Sequence, residues 1–234
     1  MTATPPMNRS ELPAFIVFDL DGTIVDSAEG IVSSFEATLG DFGRSVERSQ
    51  LVTLIGPPLH DSFLRLGFGP EQLDEVLARY RTHYGRDGVT RCRLYDGVPE
   101  LLDRVAARDV PMSIATAKRA DFAAQILDAL GLAQYFAVVV GAAVDGRRSA
   151  KASIVAQAIT DLSPKSPRGW MVGDRRYDVE AAHANHLLAF GVTWGYGTVG
   201  ELRDAGADRL FNRPSELNAL LDHLAARSRQ RDRS

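Results

Sequence analysis

The chain has 234 residues, 45% apolar and 24% charged, with a formal net charge of −3; it can bury a core as one large domain or two modest ones. So small a charge creates no long-range field for nucleic acid or an anionic membrane, and no apolar run is long enough to span a bilayer. The single cysteine, Cys92, excludes an intrachain disulfide. Residues 1–10 are polar and lack the apolar centre of a signal segment. We therefore expect a cytoplasmic protein with neither a nucleic-acid nor a membrane partner.

The first element is the β-forming apolar run at residues 15–20, which leads into Asp19-Leu20-Asp21-Gly22-Thr23. From residue 27 to residue 91 the periodicity is helical. Ile31, Phe35 and Leu39 recur at i, i+4, i+8, and Asp26 with Glu29 is set as a capping box at the helix start. Pro70 opens a later helix with the stripe Leu73, Val76, Leu77, Tyr80 and Tyr84. This block reads as an all-helical insertion. Beyond it, continuous apolar runs at 112–115, 138–140, 170–172 and 188–192 suit strands buried on both faces. Helical stripes alternate with them: Leu101, Leu102 and Val105; then Phe122, Ile126, Leu127 and Leu130, closed by Gly131; then Ile154, Val155, Ala158 and Ile159. Strands alternating with helices predict a doubly wound α/β fold with a parallel sheet. The expected division is a core at 11–26 and 92–234, an inserted helical domain at 27–91, and flexible tails at 1–10 and 227–234. The second tail holds Arg227, Arg229, Arg231 and Arg233 and is expected to be solvated.

Chemistry concentrates at the strand ends, where doubly wound sheets bind ligands. Asp19 and Asp21 close the first strand, and Gly22 lets the chain turn. One carboxylate can attack or bind metal while the other handles protons. Alone, such a pair is more often a turn. Asp174 ends a later strand, and Asp178 follows four residues on, sharing a face with it if a helix starts there. Carboxylates converging on one sheet edge repel. A hard divalent cation resolves this, and Mg²⁺ is the usual one beside phosphates. Thr116 follows the 112–115 run, and its hydroxyl can donate to a phosphate oxygen. Of 27 basic residues only Lys118, Lys151 and Lys165 are lysines. Lys151 suits neutralising charge between a carboxylate and a phosphate, Lys118 is a secondary candidate, and Lys165 reads as a surface residue.

Together, Asp19-x-Asp21-Gly22-Thr23, Thr116, Lys151 and Gly173-Asp174-x-x-x-Asp178 resemble the four motifs of the haloacid dehalogenase superfamily, in order, over residues 15–192. The resemblance implies a Rossmann-like core, with 27–91 as a C1-type cap. It implies a Mg²⁺-dependent phosphatase acting on a small phosphorylated metabolite through an aspartyl-phosphate. Asp19 would attack, and Asp21 would act as acid and then base. Metal would be held by the Asp19 side chain, the Asp21 backbone carbonyl and Asp174. Asp178 would bind metal through water or orient Lys151. Thr116, Lys151 and the backbone N–H groups of Leu20 and Ala117 would hold the phosphoryl oxygens, with Gly22 and Thr23 in support. Asp21 separates the chain from dehalogenase and phosphonatase branches, and Thr23 is typical of phosphatases. Residues 54–59, Asp145-Gly146 and Gly195-Tyr196-Gly197 resemble phosphoglycolate phosphatase and 5′-nucleotidase-like members. Lys151-Ala152-Ser153 lacks the proline that many relatives place after the lysine. A phosphosugar mutase and a non-catalytic binding protein on the same fold are the alternatives, and retention of every catalytic residue type argues against the second.

Three further patterns are set aside. Gly195-x-Gly197-x-x-Gly200 follows the last predicted strand, not the first of a βαβ unit, and reads as a loop at a strand end. His183 and His186 lack a third metal ligand, and Cys92 lacks a partner histidine nearby in sequence.

Overall fold

The computed structural model describes residues 12–143 and 150–231. The tail at 1–10, the Asp145-Gly146 pair and residues 232–234 lie outside the described residues. Strand β1 (Phe15–Phe18) is buried throughout. After the two-residue β2 (Val25–Asp26) the chain is helical. It runs through α1 (Ala28–Asp41), α2 (Arg48–Val52), α3 (Leu59–Arg65), a 3-10 turn at Pro70–Gln72, α4 (Leu73–His83) and a π turn at Tyr84–Gly88. It returns through β3 (Arg93–Leu94) and then alternates: α5 (Val98–Ala106), β4 (Met112–Arg119), α6 (Ala120–Ala129), β5 (Val138–Ala142) and α7 (Lys151–Leu162). The alternation continues with β6 (Gly169–Gly173), α8 (Arg176–Ala184), β7 (Leu188–Val192), α9 (Val199–Asp204), β8 (Arg209–Phe211) and α10 (Pro214–Arg231).

Among the described residues the sheet has six strands in the order β5-β4-β1-β6-β7-β8, and every pairing is parallel. The chain builds outward from β1 on one side and then crosses to start β6 on the other. The winding reverses between β1 and β6, and a crevice opens beyond the carboxyl ends of strands at such a point. Alternation along β1 explains the two layers. Ile16 and Phe18 enter a core with α5, α6 and α10, while Phe15 and Val17 enter another with α7 and α8. The helical segment closes its own core around Phe35, Phe63, Val76 and Tyr80, which Phe122 joins from α6. The Phe35, Phe63 and Tyr80 rings meet in tilted and edge-on contacts with centroids 4.8–5.8 Å apart.

Several local expectations are corrected. Asp26 and Glu29 do not form a capping box. Asp26 lies in β2, paired antiparallel with β3, and its Oδ1 accepts from the Ala28 N–H at 3.2 Å. Glu29 turns outward to Arg48 at 2.7 Å. Residues 227–231, expected in a flexible tail, continue helix α10. Strand β4 extends past 115, with a register shift between Ala115 and Arg119. Strand β8 and the β2–β3 ribbon are additional elements, too short to carry a pattern.

Candidate active site

The carboxylates gather where the winding reverses. Asp19 follows β1, and its backbone N–H donates to the Val172 carbonyl on β6 at 2.9 Å. Asp174 follows β6, and Asp178 lies in the first turn of α8. All three are buried, and one oxygen from each lies within 4.8 Å of the others. Asp19 Oδ1 accepts from the Leu20 N–H at 2.7 Å. Lys151, the first residue of α7, reaches in to Asp19 Oδ1 at 2.7 Å and Asp178 Oδ1 at 2.8 Å. Asp178 Oδ2 accepts from the Arg175 N–H at 3.0 Å. Lys151 thus bridges two of the motifs.

The cluster carries more negative charge than Lys151 offsets. Burial pushes the Asp19 carboxyl up to about 7, partly countered by Lys151 and reinforced by Asp178. Burial, with Asp178 and Asp19 beside it, holds Asp174 well above the ordinary carboxylate range. Burial opposes charge on Lys151 too, but Asp178 and Asp19 outweigh it and hold its ammonium above the usual lysine range. Enclosed carboxylate oxygens facing one another fit a small hard cation.

Glycines shape the enclosure. Gly22 has φ +84, and a Cβ there would meet Asp174 Oδ2 at 2.3 Å. A side chain would suffer both the backbone angle and the clash. A Cβ on Gly197 would lie 1.8 Å from the Asp174 carbonyl oxygen, and one on Gly195 would lie 2.2 Å from that of Gly22. The Gly195-x-Gly197 segment therefore packs backbone to backbone against Asp174. The Tyr196 N–H donates to Asp174 Oδ2 at 2.7 Å, and Thr23 Oγ1 donates to Oδ1 at 3.3 Å. Of the dinucleotide-like glycines, Gly195 and Gly197 serve this packing, whereas a Cβ on Gly200 would meet only Thr198 Oγ1 at 3.8 Å.

Asp21 sits at the mouth. Its Oδ1 accepts from Ser27 Oγ and pairs with Lys118 Nζ at 3.1 Å. Lys118 also donates to Tyr84 Oη at 2.5 Å, from the π turn of the helical segment. Thr116 is buried beside it, its Oγ1 accepting from the Lys118 N–H at 3.2 Å. A cavity of 750 Å³ opens between sheet and helical segment. Asp19, Asp21, Thr116, Ala117 and Lys118 line its sheet side; Pro57, Leu77, Tyr80 and Arg81 line the other. Arg175 ties the two together: its Nε donates to Glu201 at 2.9 Å, and its Nη1 donates to the Ile55 carbonyl beside Gly56.

The structure thus brings Asp19, Asp21, Thr116, Ala117, Lys151, Asp174 and Asp178 to this edge. Leu20 contributes its N–H while its side chain is buried. No site role attached to Ser27, Tyr84, Arg175 or Tyr196 in the sequence: Tyr84 reads there as part of a helical stripe, and Arg175 and Tyr196 as filler positions within longer motifs. His183 faces Asp208 at 3.8 Å. Cys92 is half-buried with a free thiol.

The sequence pattern described as haloacid dehalogenase-like hydrolase matches residues 16–192. The chain is 40% identical over 188 residues to the tyrosine-protein kinase PtkA of Mycobacterium tuberculosis, covering 80% of this chain and 64% of that one. It therefore spans less than two thirds of that relative's length. It is 32% identical over 190 residues to a 5′-nucleotidase of Pseudomonas aeruginosa, covering 80% and 86%. Among solved structures, a protein of Clostridium acetobutylicum described as a predicted phosphatase superposes with a TM-score of 0.86 at 37% identity, over 89% of this chain and 98% of that one. The solved structure of PtkA superposes with a TM-score of 0.78 at 35% identity, over 89% and 98%.

Proposed function

Because the chain belongs to the haloacid dehalogenase-like hydrolases, we propose that it hydrolyses small phosphate monoesters through a phosphoryl group carried on Asp19, with Mg²⁺ as its metal. The observation that carries this reading is the meeting of Asp19, Asp174, Asp178 and Lys151 at the edge of a cavity that Asp21 and Thr116 also line. Names of relatives support it: one is a 5′-nucleotidase and another a predicted phosphatase.

In this reading Asp19 attacks phosphorus, the new Asp19–phosphorus bond forms and the ester P–O bond breaks. The leaving oxygen takes a proton from Asp21. Asp21 then accepts a proton from water as the water attacks phosphorus, and phosphate leaves with Asp19 restored. Ser27 and Lys118 hold Asp21 Oδ1 and leave its second oxygen for proton transfer. Lys151 and the Thr116 hydroxyl face the phosphoryl oxygens, with the Leu20 and Ala117 N–H groups alongside, while Asp178 holds Lys151 in place. The metal would be held by the Asp19 side chain, the Asp21 carbonyl and Asp174, and would supply neutralisation of phosphoryl charge. Rate then comes from positioning and charge compensation. Residues 27–91 act as a cap that excludes water from the cavity.

Phosphate release from a panel of esters with Mg²⁺ tests the activity, and Asp19→Asn tests the nucleophile. The variant is expected to fold and to lose turnover. Turnover within ~10-fold of wild type would remove the covalent route, which is worth several kcal/mol. The 40% identity to a protein named tyrosine-protein kinase favours a second reading, transfer of the phosphoryl group to a tyrosine hydroxyl instead of water. Labelled phosphate appearing on tyrosine, and not as free phosphate, would select it.

A further inference from the structure

Among the described residues, the cations that line the cavity are committed, with one exception. Lys118 pairs with Asp21 and donates to Tyr84. Arg119 makes a two-pronged pair with Asp121 at 2.9 and 2.5 Å. His60 faces Asp61 at 3.3 Å. Arg81 lines the cavity from α4, and its Nε is shielded from solvent without a hydrogen-bond partner. Among the described residues no ion pair engages it. Asp74 lies two turns earlier on the same helix and raises its pKa, as does Asp121, but burial and the neighbouring Arg119 prevail and hold it below the ordinary arginine range. A guanidinium donor enclosed without an acceptor is costly, and its planar fork fits a carboxylate or phosphate.

Arg81 does not serve the reacting phosphoryl group. Lys151 and Thr116 take that role on the sheet side, whereas Arg81 stands on the opposite wall beside Leu77 and Tyr80. We propose that Arg81 is a specificity residue that binds a second oxyanion, a carboxylate or a further phosphate, on the leaving group of the substrate. This rests on the phosphatase reading above and narrows its substrates to esters with a charged remote end.

The test compares matched esters in wild type, Arg81→Gln and Arg81→Lys, with Mg²⁺ present. Phosphoglycolate is set against ethyl phosphate for the carboxylate, and a short alkanediol bisphosphate against the matching alkyl phosphate for the phosphate. Losing a charged hydrogen bond of this kind costs about 1.5–3 kcal/mol, or ~10–100-fold. In Arg81→Gln the ratio of kcat/KM for the charged to the uncharged leaving group is expected to fall ~10-fold or more in at least one pair, and the affected pair identifies the anion. Arg81→Lys should recover part of it. An unchanged ratio in both pairs would overturn the proposal. Calorimetric binding of the same esters to the Asp19→Asn protein, with and without Arg81→Gln, reads recognition apart from turnover. Charge-selective binding lost with Arg81 but no phosphate release from any ester would uphold this inference and sink the phosphatase reading. Phosphate release without charge selectivity would do the reverse.

Discussion

Asp19 and Asp174 are enclosed to the point where ionisation works against folding. Burial sets the Asp19 pKa at about 7 against an ordinary 3.8, and Asp174 is shifted the same way. A carboxyl raised in the folded state contributes stability that is complete below its unfolded pKa and is lost as pH rises towards the folded one. The metal-free protein should therefore lose stability between about pH 4 and pH 7, with Asp19 accounting for on the order of 2–4 kcal/mol. Thermal melts of metal-free wild type and Asp19→Asn check this. The variant should gain on wild type as pH rises, and parallel curves would refute the assignment. Mg²⁺ should raise the wild-type Tm more at the upper end of that range, where the ligands are ionised. Gly197→Ala places a methyl 1.8 Å from the Asp174 carbonyl oxygen. The loop must shift, at a cost of about 1–3 kcal/mol, and urea denaturation should show that loss together with weakened Mg²⁺ binding. At this scale the convergence of the residues proposed for catalysis was legible because each ends or follows a recognisable strand or opens a helix. Their partners were not: Tyr84 meets Lys118 across 34 positions and Arg175 meets the Ile55 carbonyl across 120, and no local pattern records such pairs.

The two chain crossings between sheet and helical segment are joined by the β2–β3 ribbon, with Asp26 and Arg93 paired at 2.9 Å. The turn at Gly56-Pro57-Pro58 lines the cavity. Gly56 has φ +107, and a Cβ there would lie 2.9 Å from Arg175 Cγ. Gly56→Val therefore strains the backbone, by ~1–3 kcal/mol, and displaces the arginine that holds the turn. We expect kcat/KM to fall unequally across phosphate esters, least for small generic ones that contact the turn least. Equal loss across the panel would mean that the turn does not select substrate. Long periodic helices and the fully apolar strands were readable from the sequence because burial imposes their periods. The edge strand β8 was not, since Arg209 and Leu210 are not fully buried and only Phe211 is. The helix start at residue 28 was misread because Asp26 is drawn into the ribbon, which a local capping rule does not anticipate.

The fold brings residues 19, 116, 151 and 174 together from four separate stretches because parallel strands all present their carboxyl ends at one edge. That convergence was legible once strand ends and motif order were read together. The volume of the cavity and the isolation of Arg81 were not, since both depend on how the helical segment packs onto the sheet. A metal site built of oxygen ligands should discriminate among cations. EDTA should stop turnover, and Mg²⁺ should restore it better than Ca²⁺, whose looser coordination would misplace Asp19; full activity in a verified metal-free preparation would exclude the site as assigned. The central claim is the phosphoryl group on Asp19. The most direct measurement is a rapid acid quench of the Asp21→Asn protein with Mg²⁺ and an aryl phosphate, whose leaving group needs no proton, followed by mass spectrometry of the peptide containing Asp19. With the base removed, water attack slows, and one phosphoryl group should accumulate on Asp19 and be absent from the Asp19→Asn control. Aryl phosphate turnover with no phosphoryl group at Asp19, or one that persists in the control at another residue, would contradict the account.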